Sequence, residues 1–248
     1  MNGMAHRGDL YGEDFSARAE PLAPGLIAVA GEPALCDPRG ALFLPALRLL
    51  VVSDLHLEKG SAAARQGRLL PPYDTLATLD LLAAVIEAHN PRIVVSLGDS
   101  FHDDWGPGRM PPPWRDRLAR LMAGRDWVWV AGNHDPAPPA GLPGDVAREI
   151  ALGPLALRHE PAAGGQEGEI AGHLHPGAMV VQRGRAVRRR CFATDGMRLV
   201  MPAFGAFTGA LNVLDPAYDG LFRRERLVAY MLGSERVYAV AGRRLRRG

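Results

Sequence analysis

The sequence predicts a single α/β domain organised around parallel strands. Three observations predict it. A chain of 248 residues, 47% apolar and 23% charged, suits one large globular domain with a full core. Three apolar runs, "LRLLVV", "RIVVSL" and "WVWV", alternate with helix-patterned segments. Beyond residue 150 the helical patterning fades and short strand-like runs take over.

The elements follow in order. Residues 1–24 lack periodicity and predict a loose arm ahead of a domain at 25–240. "LIAVAGEPALCDPRGALFLP" predicts two short strands around the turn "DPRG". "LRLLVVSDLHL" predicts a strand buried on both faces, followed by a loop or broken helix, "EKGSAAARQGRLLPPY". "DTLATLDLLAAVIEAH" is patterned as a helix with Leu76, Leu79, Ala83 and Ile86 on one stripe. Asp74 is placed to cap it and Asn90-Pro91 to stop it. "RIVVSLGDS" predicts a second buried strand, "WGPGRMPPP" a loop, "WRDRLARLMAG" a short helix and "WVWVAGNHD" a third strand. Later strands are expected in "LALRHEP", "EIAGHLHPG", "RCFATDGMRLVMPAFG", "ALNVL" and "RVYAVAG", before a basic tail at 241–248. Trp105, Trp114, Trp127 and Trp129 are expected to pack in the core or at its rim, and Asp103 and Asp104 to be solvated loop charges.

The bulk chemistry excludes several classes. A net charge of +2 does not announce a nucleic-acid binder by charge alone. Cys36 and Cys191 are the only cysteines and offer neither a disulfide framework nor a zinc knuckle. No apolar run reaches the ~18 residues of a membrane span, and the polar start resembles no signal peptide. The expectation is a soluble, cytoplasmic protein without a membrane partner.

The informative residues sit at strand ends. The first buried strand ends in Asp54-Leu55-His56, the second in Gly98-Asp99-Ser100-Phe101-His102, and the third in Gly132-Asn133-His134-Asp135. Later runs end in His159-Glu160-Pro161 and Gly172-His173-Leu174-His175. Six of the eight histidines fall in these clusters; only His6 and His89 do not. Open α/β sheets place their chemistry outside the carboxyl ends of the strands, so the clusters converge if those strands are adjacent. Asp, His and Asn without Cys suit manganese, iron or zinc in a catalytic setting, not a thiolate-type structural zinc. Asp54, His56, Asp99, Asn133, His159, His173 and His175 are too many ligands for one ion that keeps room for substrate. Two ions sharing a carboxylate accommodate them.

The ordered set DxH, GDxxH, GNHD, H and GHxH, over residues 54–175, resembles the calcineurin-like metallophosphoesterase superfamily. "VVSDLHLEKG", "GRLLPPYDT", "SLGDSFHDD", "LRHEP", "AGHLHPG" and "MPAFGAFTGALNV" are in turn similar to the ligase-associated DNA damage response endonucleases of the PdeM type, over residues 26–214. The first resemblance implies a single-domain, four-layer α/β/β/α sandwich. It implies one divalent metal on Asp54, His56, Asp99 and His175, and a second on Asp99, Asn133, His159 and His173. It further implies a metal-activated water as nucleophile, His134 as the acid that protonates the leaving group, and Asp135 as the group that orients its imidazole. The second resemblance puts manganese first, with iron or zinc as alternatives. It implies a phosphodiesterase acting on DNA in repair, in association with an ATP-dependent DNA ligase, a helicase and a nuclease. Glu58 departs from it, since a glycine is expected there.

Other residues carry weaker expectations. His102 either contacts substrate or braces the site, and bracing is favoured. Lys59, Arg65 and Arg68 could hold DNA phosphates or simply solvate a loop. The basic runs 183–190 and 241–248 pose the same alternative. Two other activities fit the motifs: a phosphodiesterase of small molecules or a phosphomonoesterase on the same scaffold. A non-catalytic scaffold fits less well, because His134 is retained.

Overall fold

The computed structural model describes residues 25–248 except 69, 71, 72, 138, 140 and 165, so the expected arm at 1–24 lies outside the described residues. Two sheets face each other. The first has the order β1 (Gly25–Val29), β2 (Glu32–Cys36), β3 (Leu42–Leu44), β4 (Leu49–Val52), β5 (Ile93–Leu97), β6 (Asp126–Val130) and β7 (Asp145–Ala147). Pairing is antiparallel from β1 to β4 and parallel from β4 to β7. Among the described residues, four helices belong to this half: α1 (Lys59–Arg65), α2 (Asp74–His89), α3 (Gly106–Arg109) and α4 (Pro112–Met122).

The second sheet comprises β8 (Glu149–Leu152), β9 (Leu155–Arg158), β10 (Glu169–Ala171), β11 (Pro176–Gln182), β12 (Arg185–Thr194), β13 (Leu199–Val200), β14 (Leu211–Asn212), β15 (Val228–Leu232) and β16 (Val237–Ala241). Within it β9, β10 and β13 run parallel.

Three hydrophobic cores separate four layers. Period-two alternation in β4 sends Leu49 and Val51 between the sheets and Leu50 and Val52 toward the helices. Leu157, Ile170, Phe192 and Met201 meet the first pair from the second sheet. Leu79, Leu82 and Ile86 of α2, with Leu118 and Met122 of α4, meet the second pair. The outer face of the second sheet is covered by Val213, Tyr218, Leu221, Leu227 and Leu245, which come from loops and 3-10 turns at Pro216–Tyr218 and Gly242–Arg244. That fourth layer is therefore turns and loops where the resemblance implied α-helix.

Several local expectations are corrected. Residues 25–44 form three strands, because Ala30 and Gly31 make a tight turn at positive φ inside the presumed first strand. The buried face of α2 is Thr75, Thr78, Leu79, Leu82, Val85 and Ile86, while Leu76 and Ala83 are only half-buried. Asp74 begins α2 and does not cap it; its carboxylate accepts from the Gly60 amide instead. The loop "WGPGRMPPP" contains α3. Trp105 is 72% exposed, and Asp103 is paired with Arg109 at 2.7 Å. The basic run 183–190 is the outer half of the β11–β12 hairpin, and the terminal run folds back, with the Arg246 amide donating to the Met179 carbonyl. Both cysteines are buried and free. No helix among the described residues is long and apolar enough to cross a membrane.

Away from the strand ends, a buried ionic cluster ties β2 to α2. The Asp37 carboxylate accepts from Arg39 at 2.7 and 2.6 Å and lies 2.8 Å from His89 Nε2. Burial opposes its ionisation, but the Arg39 and His89 hydrogen bonds outweigh burial and hold the carboxyl well below the usual carboxylate range. A depressed folded-state pKa contributes stability above the unfolded value of about 3.9, and that stability is lost as pH falls through the folded value. Asp37→Asn is expected to cost about 2 kcal/mol at pH 7, the scale of a hydrogen bond to a charged group. Its deficit should shrink below about pH 4 as the wild type loses the same contribution. Urea titrations at both pH values would refute this if the two proteins matched at pH 7.

Candidate metal centre

The strand ends deliver the candidate side chains to one rim. Because β4, β5 and β6 are parallel neighbours, Asp54, His56, Asp99, Asn133 and His134 emerge from the same edge. Parallel β9 and β10 bring His159, His173 and His175 to it from the second sheet. The loops are stitched together by their backbones. The His56 amide donates to Asp99 O at 2.9 Å, Gly172 to His159 O at 2.9 Å, and Gly205 to Asp54 O at 3.1 Å.

Among the described residues, His and Asp side chains gather in three clusters, and the candidate ligands occupy two of them. Asp54, His56 and His175 form one, and Asp99, His159 and His173 form the other. In the first, His175 Nε2 lies 3.1 Å from Asp54 Oδ1 and 3.4 Å from His56 Nε2. In the second, His159 Nε2 lies 3.4 Å from Asp99 Oδ1 and 3.3 Å from His173 Nδ1. Asn133 Oδ1 joins the second group, 2.9 Å from both rings. Asp99 stands between the groups, its Oδ2 also 3.8 Å from His56 Nε2. His173 and His175 are thus divided between the two groups.

These contacts fit a cation. Ring nitrogens face each other beside a carboxylate, and one proton satisfies only part of such a set, whereas a cation accepts every lone pair at once. The His159 Nδ1–H donates to Leu97 O at 3.0 Å, which turns Nε2 toward the group. Burial disfavours charge on His159, yet the Asp99 hydrogen bond and the charges of Asp54 and Asp99 raise its pKa to about 9. The same field favours a metal ion. Burial pushes His56 down to about 3, so it is a neutral ligand-type imidazole. Burial opposes ionisation of Asp99, but His159 brings it to about 2, and Asp54 is likewise held below the carboxylate range, chiefly by His175 against burial.

Backbone strain concentrates here. Asp54, His56, Asp99, His173 and His175 all have φ between 44° and 67°. Left-handed conformations in residues with a Cβ cost about 1 kcal/mol or more each and collect where geometry serves a site. Glu58 belongs to the same pattern at φ 66°, which explains why a glycine suits that position. Its buried carboxylate accepts from Thr75 at 3.0 Å, and its own amide donates to the same hydroxyl.

The neighbouring groups differ from the sequence expectation in one respect. The His134 Nδ1–H donates to the His102 carbonyl at 2.9 Å, so Asp135 does not orient that ring. The tight 132–135 turn aims Asp135 inward, where its Oδ2 accepts from the Phe101 amide at 3.0 Å. Burial raises the Asp135 pKa to about 7. His102 stacks on His134 with centroids 5.3 Å apart, and the ring nitrogens of these two meet His56 in a third cluster beside the first group. His134 Nε2 faces the centre, 4.0 Å from Asp99 Oδ2, on the exposed side. Lys59 caps the rim, donating to Phe207 O at 3.1 Å. A cleft of about 510 Å³ beside Asn133 and His159 includes Arg148 and Arg158 in its wall.

Sequence reasoning missed two supports. Ser53 Oγ donates to Asp54 Oδ2 at 2.5 Å, and the Tyr218 hydroxyl reaches the Leu174 carbonyl at 2.9 Å. Ser53 adjoins the DxH motif and was open to inference; nothing near Tyr218 announces its target.

Comparison with known proteins identifies the family. The chain belongs to the calcineurin-like phosphoesterase family, whose model matches residues 47–177. It is a hydrolase of phosphoesters of that class, and the Asp/His groups are its candidate sites for divalent metal. Among solved structures, it is similar to nuclease MPE of Pseudomonas putida at 30% identity and a TM-score of 0.66, over 88% of this chain and 100% of that one. A weaker likeness is to the phosphoesterase Yfce of E. coli, at 17% identity and a TM-score of 0.38, over 78% of this chain and 98% of that one. No curated protein matches the chain.

Proposed function

We propose that this protein is a manganese-dependent phosphodiesterase that cleaves DNA. The observation that carries the reading is the pair of ligand groups joined through Asp99, with His134 beside them on the open side. Asp54, His56, Asp99 and His175 would hold one ion, and Asp99, Asn133, His159 and His173 the other. When bound, two divalent ions supply an activated water and neutralise charge on the phosphoryl group.

The chain's own residues do the rest. His134 is fixed through Nδ1, so its Nε2 is the atom that gives a proton to the departing oxygen. Two accessible cations reach the 203–210 loop. Lys59 donates to Phe207 O at 3.1 Å, and exposed Arg188 to Ala210 O at 2.6 Å. They stand along a loop that also carries exposed Phe207, and cationic flanks beside a reaction centre supply affinity for a phosphodiester backbone. The 30% likeness to a nuclease supports the same substrate. DNA repair in the cytoplasm, beside an ATP-dependent DNA ligase and a helicase, is the proposed setting and rests on the sequence resemblance.

Protein loaded with Mn²⁺ is expected to cut plasmid and circular single-stranded DNA and to hydrolyse a bis-aryl phosphate faster than an aryl monophosphate. His134→Ala should keep its manganese and lose roughly 10²- to 10⁴-fold in rate. Intact DNA together with rapid monoester turnover would overturn the reading. Turnover of the bis-aryl ester alone would redirect it to small-molecule diesters.

A further inference from the structure

Tyr218 lies behind the candidate metal centre, on the outer side of the second sheet. It closes the 3-10 turn Pro216–Tyr218, whose N-cap Asp215 accepts from the Ala217 amide. The side chain is 5% exposed and stacks on Phe222, with ring centroids 6.3 Å apart. Its hydroxyl donates to the Leu174 carbonyl at 2.9 Å. Burial pushes the phenol's pKa up, so the hydroxyl stays a donor at any working pH.

Leu174 is the residue between His173 and His175. Both neighbours have left-handed backbones, at φ 67° and 47°. Such conformations persist only where surrounding contacts over-determine them. The Leu174 side chain packs against the core that contains Tyr218 and Val213, and the tripeptide's other backbone hydrogen bonds are local or lie on its flanks. The His173 amide donates to Asp54 Oδ2 at 3.1 Å, the Leu174 amide to Gly172 O at 2.7 Å, and the Leu211 amide to His175 O at 2.9 Å. The carbonyl in the middle, between the two ligand groups, is held from behind by Tyr218.

We propose that Tyr218 is a positioning residue for the metal centre: its hydroxyl fixes the Leu174 peptide and so sets where His173 and His175 present their nitrogens to the two ligand groups. This rests on the two-ion reading given above. Groups that orient ligands from behind typically govern metal affinity 10- to 100-fold.

Tyr218→Phe keeps the stacked ring and removes only the hydroxyl. Manganese titration by calorimetry, the EPR spectrum of the loaded protein and melting of the metal-free protein are the measurements. The metal-free variant should melt like the wild type, bind manganese about 10-fold more weakly, show an altered EPR signal, and lose in kcat with KM for DNA little changed. Phe222→Leu disturbs the stack but keeps the hydroxyl, and should retain wild-type manganese affinity. The proposal is overturned if Tyr218→Phe matches the wild type in affinity, spectrum and kcat, or if Phe222→Leu reproduces its defect. A wild type that binds one ion or none would overturn the two-ion reading and this proposal with it; two ions bound and an unchanged Tyr218→Phe would overturn this proposal alone.

Discussion

Asp99→Asn is expected to lower kcat/KM by about 10³-fold or more while leaving the fold intact. Asp99 reaches both ligand groups, through Oδ1 to His159 and Oδ2 to His56. Asparagine keeps its shape and can still accept the His134 amide, which donates to Oδ1 at 2.9 Å. What it removes is a negative charge held at about pKa 2, and with it the means of bringing two cations close together. The loss belongs with the electrostatic terms that dominate catalysis in dry sites, where one donor alone accounts for about 10²- to 10³-fold. Metal analysis after gel filtration should find fewer ions per chain, with circular dichroism unchanged. A fully loaded variant with near-normal turnover would remove Asp99 from the centre of the mechanism.

Gly98→Ala should damage stability and metal binding together. Gly98 sits at φ +78°, and a Cβ there would lie 2.3 Å from His159 Nδ1 and 2.4 Å from its Cγ. The ring cannot retreat, because Nδ1 is tied to Leu97 O and Nε2 faces Asn133. Overpacking of this kind costs about 1–3 kcal/mol, and alanine at positive φ adds about 1 kcal/mol more. At about 2–4 °C per kcal/mol for a domain of this size, melting should fall by roughly 5–15 °C. Displacing His159 should also empty one group before the other, seen as a manganese titration with one weakened step. Unchanged melting and unchanged stoichiometry would show that the ring is less constrained than its hydrogen bonds imply.

The parts of this molecule that could be read from sequence share one property: their burial or chemistry is periodic or clustered. Leu49–Val52 is buried on both faces, so an unbroken apolar run betrays it. The site residues follow strand ends in short motifs, and parallel pairing brings them together. Harder to read were elements whose signal is half exposed or supplied by a distant segment. β7 and β8 are edge-like and largely exposed, so they lack a strong pattern. The β1–β2 hairpin hides in an apolar stretch because Ala30 takes a turn conformation usual for glycine or asparagine. The helix face of α2 was misjudged because Thr75 and Thr78 are buried to serve Glu58 and the Ala206 amide, a demand from other parts of the chain. Asp135 follows His134 directly, and adjacency suggested a partnership, but successive residues in the 132–135 turn point to different places and the His102 carbonyl took the role.

The division of ligands between sheets has a mechanical consequence. Asp54 and His56 hang from the first sheet and His175 from the second; Asp99 hangs from the first, and His159 and His173 from the second. An ion in either group would therefore be a clasp across the seam of the sandwich, closing a chain loop from residue 54 to residue 175 or from 99 to 173. Cross-links that close loops this long restrict the unfolded chain most strongly. The rim that carries the candidate metal groups would also be the place where the two halves of the molecule are buttoned together.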